Sequence, residues 1–249
     1  MPLDTPFSAP DLAARVARLN AATYRHSAVD VLRAAREEIP DLALVSSFGA
    51  ESVVLLHLVS VVDRAMPVLF IDTRMLFAET LEYQRRLTQR LELENVRVIR
   101  AADLAAQDPD GTLHQRDTDA CCDLRKTRPL QLALQGHGGW ITGRKRFQSA
   151  SRAQLGHFEV EEVAGGADRI KVNPLAYWAP GDVAEYMTEN ALPRHPMVAR
   201  GYPSIGCAPC TSPVAEGEDP RAGRWRDLSK EECGIHFENG RMVRTRSTT

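Results

Sequence analysis

The sequence predicts an α/β fold, a parallel twisted sheet with helices on both faces. Three observations predict it. Short apolar runs of strand type alternate with longer helical patterns along the chain. The 249 residues, 43% hydrophobic and 26% charged, have an ordinary globular balance and can build a sizeable core. No internal repeat or low-complexity linker interrupts the alternation, so the whole chain, 1–249, reads as one domain.

The elements follow in order. Residues 11–20 and 29–38 have helical spacing, and Pro40 ends the second because proline disfavours helix at the residue before it. LALVSS (42–47) is a short apolar run read as a strand. After a glycine loop, residues 52–62 are apolar on most sides and read as a buried helix. PVLFIDT (67–73) is a second buried strand, 77–93 a charged amphipathic helix, and NVRVIR (95–100) a third strand. Residues 120–134 read as a helix that Pro129 must kink or restart. WITG (140–143) is a fourth strand, 158–163 and 169–172 a pair of late strands, and 182–190 a helix. Beyond Pro193 the chain is rich in proline, glycine and charge, and reads as loops and short helices.

Composition excludes some functions. A formal net charge of −2 argues against a dedicated nucleic-acid binder, though not against a local basic pocket for a small anion. No apolar stretch reaches the roughly 20 residues that span a bilayer. Residues 1–19 carry an early acid and no long apolar run, unlike a signal peptide, so a cytoplasmic location is expected. Reducing conditions there disfavour structural disulfides. The five cysteines fit a metal site plus one reactive thiol: Cys121–Cys122 and Cys207–Cys210 are close pairs, and Cys233 stands apart.

Five segments carry chemistry. Ser46-Ser47-Phe48-Gly49-Ala50-Glu51-Ser52 joins a buried strand to a helix, and such a loop either turns its N–H groups onto an anion or is a tight turn with a serine cap. It lacks the lysine of a Walker A loop. The C-x-x-C spacing of Cys207 and Cys210 serves zinc and iron–sulfur clusters alike. The adjacent pair Cys121–Cys122 would diverge by about 100° on a helix, which suits a cluster of several irons better than one zinc ion. Lys126 would lie one helical turn beyond Cys122 on the same face, with Arg125 beside it. Residues 143–152 (GRKRFQSASR) follow a strand, where ligands of doubly wound sheets bind, and Arg221 and Arg224 are spaced to face one ligand from a single turn.

These strings resemble known ones. SFGAES resembles the PP-loop of the adenine nucleotide alpha-hydrolase-like superfamily, with Phe48 as in its sulfonucleotide reductase branch, and FIDTRMLFAET resembles the same branch. CCDLRK with GCAPC resembles the paired motif of the cluster-containing adenylyl sulfate reductases of that family. GRKRFQSASR is similar to its G-x-R-x-x-Q-S-x-x-R segment, EDPRAGRW to E-D-x-R-A-G-R-W, and EECGIH to the signature E-C-G-L-H. The resemblance runs from about residue 43 to 236, with the motifs in the expected order.

The resemblance implies a site. Loop 46–52 would hold phosphate, with Asp72 and Thr73 near the adenosine. Arg125, Arg144, Arg152, Arg221 and Arg224 would contact substrate. Cys121, Cys122, Cys207 and Cys210 would ligate a 4Fe–4S cluster, with Lys126 between cluster and substrate. Some relatives carry a histidine where Thr118 stands here, so that role does not transfer. Cys233 would be the nucleophile on a tail from about residue 225, with His236, Arg221 and Arg224 as candidate activators. The implied reaction is thioredoxin- or glutaredoxin-dependent reduction of adenylyl sulfate to sulfite and AMP through an S-sulfocysteine, in sulfate assimilation. A preference for the 3′-phosphorylated substrate, or for both, is the nearest alternative. A PP-loop tRNA thiolation enzyme is opposed by the net charge and the EECGIH tail, and a zinc-stapled nucleotide-binding protein would show zinc and no turnover. A homo-oligomer is compatible with the sequence.

Overall fold

The computed structural model describes residues 9–149, 152–163 and 165–226, and the backbone of 237–238 and 241–242. Two helices open it, α1 (Ala9–Thr23) and α2 (Ala28–Glu38). Ser27 caps α2 by accepting from the Asp30 N–H, and Ile39, extended before Pro40, ends it. Then β1 (Ala43–Ser46), α3 (Ser52–Val62), β2 (Val68–Ile71), α4 (Ala78–Arg90) and β3 (Val96–Ile99) alternate as the apolar runs predict. Short helices α5 (Leu104–Gln107) and α6 (Leu113–Arg116) lead into α7 (Thr118–Cys122). After α8 (Arg128–Ala133) come β4 (Gly139–Ile141), β5 (Phe158–Glu161), β6 (Arg169–Val172) and α9 (Pro180–Glu189). A two-stranded ribbon, β7 (Phe237–Glu238) with β8 (Arg241–Met242), lies in the region expected as the tail.

The six-stranded sheet has the order β3-β2-β1-β4-β6-β5. Leu44 on β1 pairs with Val68 on β2 and with Ile141 on β4, both parallel. The chain leaves β1 in one direction and returns on its other side, which opens a crevice beyond the carboxyl ends of β1 and β4. One core lies where α1 to α4 and α9 cover the sheet, with Leu32, Val53, Leu56 and Leu87 fully buried. A smaller one packs Leu130 and Leu134 on Trp140, Leu69 and Ile71 from the other side. Both faces are therefore covered. No described helix is long and apolar enough to cross a membrane.

Two expectations are corrected. The sheet is not wholly parallel: β5 runs antiparallel to β6. Only residues 162–168 connect them, too few for the crossover that a parallel pair needs. The helix expected over 120–134 is three pieces, because a π-helical turn, Asp123–Thr127, separates α7 from α8. Pro129 lies in the first turn of α8, where its missing N–H costs little. A continuous α-helix would press its ring on the Arg125 carbonyl, and the wider turn relieves this.

Candidate functional site

Loop 46–52 leaves β1 and starts α3. Its bend lies at Phe48, whose φ of 49° is in the left-handed region, and not at Gly49. That conformation is strained for an aromatic residue. Burial offsets the strain: Phe48 is fully buried and meets Phe70 edge-on, ring centroids 5.1 Å apart. The Phe48 N–H donates to Ser46 Oγ at 3.1 Å and the Gly49 N–H to Ser52 Oγ at 2.9 Å, which fixes the curl at the α3 N-terminus.

A cavity of about 460 Å³ fills the crevice at the β1 and β4 ends. Ser46, Ser47, Gly49, Ala50, Glu51 and Ser52 line it from the loop, and Thr73 and Lys126 from the β2 side. Arg144 and Arg152 line it from the segment after β4, and Arg221 and Arg224 from the far wall. The structure thus gathers twelve of the residues expected to bind substrate or act on it.

Three others point elsewhere. Phe48 is in the core. Asp72 accepts from the Arg74 N–H at 2.9 Å and pairs with Arg100 at 2.9 Å. Arg125, buried, donates to Asp108 Oδ2 at 2.5 Å and to the Thr73 carbonyl at 2.9 Å. Each side chain is engaged by protein partners, so as substrate contacts all three stand outside the cavity wall.

Arg144 lines the cavity but donates to Thr142, Asn173 and Glu159. Sequence reasoning passed over its neighbour. Lys145 Nζ donates to Glu51 Oε2 at 2.8 Å and to the Gly143 carbonyl at 3.3 Å, its side chain only 3% exposed. The backbone at Lys145 is extended, so successive side chains point opposite ways and only one of the two cations reaches the loop. That alternation was the available signal. Trp140, on β4, was missed too: its ring backs the cavity while its indole N–H donates to Glu161 at 2.7 Å.

The thiols lie next to this cavity. Cys121, Cys122 and Cys207 are buried and Cys210 is half-buried; all four are free thiols. A β-bridge pairs Cys207 with Leu76, and Thr73 Oγ1 lies 3.2 Å from its sulfur. Burial pushes Cys121 up to about 11, and the neighbouring thiols Cys122, Cys207 and Cys210 add to this while Arg125 opposes it. Burial, then Cys207 and Cys122, likewise raise Cys210. The two pairs, far apart in sequence, therefore bear on one another. Burial also works to raise Cys207, yet the Lys126 ammonium, the Thr73 hydroxyl and Arg224 outweigh it and bring that thiol below its ordinary value. The Arg224 guanidinium packs close against Gly206, where a Cβ would fall 2.3 Å from it and push that side chain aside. Among the described residues, no group of three or more His, Cys, Asp or Glu side chains is placed to hold a metal ion. Cys233 and His236 lie outside the described residues.

Comparison with known proteins places this arrangement. Residues 41–213 match the family described as the phosphoadenosine phosphosulfate reductase domain. The adenosine 5′-phosphosulfate reductase of Mesorhizobium japonicum is 50% identical over 241 residues, covering 95% of this chain and 93% of that protein. The protein of the same name from a Chelativorans species is 47% identical over 238 residues, covering 95% and 94%. Among solved structures, phosphoadenylyl-sulfate reductase from Candida auris, in a phosphate complex, superposes with a TM-score of 0.70 at 28% identity, covering 85% of this chain and all of that one.

Proposed function

Because this chain belongs to the phosphoadenosine phosphosulfate reductase domain family, we propose that it reduces adenylyl sulfate to sulfite and AMP, as a cytoplasmic enzyme of sulfate assimilation. One observation carries the reading. Thr73 and Lys126 form a shared wall between a cation-lined cavity and the thiols, with Lys126 facing both. The preference for adenylyl sulfate over its 3′-phosphorylated form follows the names of the relatives.

A 4Fe–4S cluster fits the donor set. Four thiols from two segments suit it, and the buried Arg125 Nε–H beside them has no hydrogen-bond acceptor among the described residues. A cationic donor left over there suits an anionic partner. Cys121, Cys122, Cys207 and Cys210 would hold the cluster. When bound it supplies a structural tie and negative charge next to Lys126, with no change of iron oxidation state required.

The chemistry falls to the chain's own groups. Loop N–H groups and the cations Lys126, Arg221 and Arg224 hold the phosphosulfate. The Cys233 thiolate attacks the sulfur. The S–O bond breaks, its electron pair passes to the phosphate oxygen, and AMP leaves from an S-sulfocysteine. A thiolate of a thioredoxin- or glutaredoxin-type dithiol then attacks the Cys233 sulfur and expels sulfite. The second thiol of that dithiol releases Cys233 and leaves the carrier as its disulfide, which supplies the two electrons. The test is incubation with adenylyl sulfate and reduced thioredoxin. One sulfite per AMP is expected, and AMP formation without sulfite, or neither product, would overturn the proposal.

A further inference from the structure

The cavity is lined by six cationic side chains, Lys126, Arg144, Lys145, Arg152, Arg221 and Arg224, against two carboxylates, Glu51 and Asp219. One of the carboxylates sits where anions are expected to bind. Glu51 immediately precedes α3, at a helix N-terminus whose N–H groups favour an anion. Its side chain makes no capping bond there and reaches across to Lys145 Nζ at 2.8 Å. Lys145 is pinned, 3% exposed and also bonded to the Gly143 carbonyl, whereas the Glu51 side chain is 40% exposed. The cation is therefore fixed and the carboxylate is the partner with room to move.

The proposed reaction gives this pair a task. Adenylyl sulfate carries one negative charge on its phosphate and one on its sulfate. Breaking the S–O bond leaves the electron pair on the phosphate, whose second pKa as a monoester is about 6. At pH 8 the product phosphate is a dianion in a site where the substrate phosphate was a monoanion. Unopposed cations would hold the product more tightly than the substrate. The geometry points to Glu51 as a specificity-determining residue: by half-neutralising Lys145 it selects the monoanionic phosphate and hastens release of AMP. This rests on the reaction proposed above.

The experiment measures AMP binding calorimetrically, which needs no turnover, for wild type, Glu51→Gln, Lys145→Met and the double variant, at pH 8 and pH 5.5. Circular dichroism confirms that each is folded. Glu51→Gln is expected to bind AMP about tenfold more tightly at pH 8, as removal of a nearby like charge predicts. The gain should shrink severalfold at pH 5.5, where AMP is mostly a monoanion, and Lys145→Met should cancel it. The KM for adenylyl sulfate should change much less. Equal or weaker AMP binding by Glu51→Gln at pH 8, or a gain indifferent to pH, overturns the inference. Failure of wild type to turn over adenylyl sulfate would instead sink the reaction it rests on.

Discussion

Glu161 holds together the strands that end at the cavity, and its removal has a calculable cost. Its carboxylate, 4% exposed as a residue, accepts from Arg169 Nε and from the Trp140 indole N–H, both at 2.7 Å. Its second oxygen lies 3.2 Å from Lys171 Nζ without hydrogen-bond geometry. Glu161→Gln keeps the volume but takes the shared carboxylate away from two buried cations, Arg169 and Lys171. Breaking a buried ion pair from one side costs about 3–5 kcal/mol. For a chain of this size that is a fall in Tm of about 6–20 °C. Thermal melts followed by circular dichroism and calorimetry across pH measure it. Burial works to raise Glu161, but Lys171 and Arg169 outweigh it and hold the folded value below the usual one. Its contribution is therefore complete above the unfolded carboxylate pKa and lost as pH falls through the depressed folded value. Burial lowers Lys171 against the pull of Glu161, so the folded chain sheds that proton first. Stability from Lys171 consequently rises with pH between its lowered folded value and 10.5. The gap between wild type and Glu161→Gln should be widest near neutral pH and close in acid. A loss below about 1 kcal/mol at pH 7, the range of exposed pairs such as Arg36–Asp63, would refute the reasoning.

Three further outcomes are expected. Protein purified without air should contain nearly equal iron and acid-labile sulfide, and Cys207→Ser should lose both with much of the stability; a colourless folded wild type holding stoichiometric zinc would contradict this. Wild type mixed with adenylyl sulfate and no dithiol should gain the mass of one SO₃ on the peptide holding Cys233, while Cys233→Ser keeps its metal and gains nothing. An adduct on another cysteine would move the nucleophile. Side-by-side kcat/KM values should favour adenylyl sulfate over its 3′-phosphorylated form, and a clear advantage for the latter would reverse the substrate preference.

Most of the fold was legible because the central parallel strands β1, β2 and β4 are short uncharged, largely apolar runs set off from their neighbours by a loop or a helix. The antiparallel edge was not, since periodicity marks a strand without its direction. At the site, motif spacing found the loop and both thiol pairs. It missed Lys145 because Arg144 beside it has the same charge, and only the extended backbone decides which of them reaches Glu51 on the loop. It also placed Arg125 at the substrate, because no local pattern marks Asp108 as its buried partner. Phe48 reads as part of a phosphate loop, yet its positive φ turns the ring into the core while its neighbours keep their place on the cavity wall.

The π-helical turn at Asp123–Thr127 acts as a phase shifter between two helices that do different jobs. On one side α7 presents Cys121 and Cys122; on the other, α8 is keyed to the sheet through the fully buried Leu130. Within the turn, consecutive cations diverge, Arg125 toward Asp108 and Lys126 toward Cys207 and the cavity. A one-residue deletion here would tighten the turn to the ordinary α repeat and swing α7 by about 100° relative to α8. Helical content would survive while both thiols were carried away from Cys207 and Cys210. This stretch should therefore tolerate exchange of exposed side chains, yet behave like a reading frame toward length, with gain or loss of a single residue as damaging as removal of a cysteine.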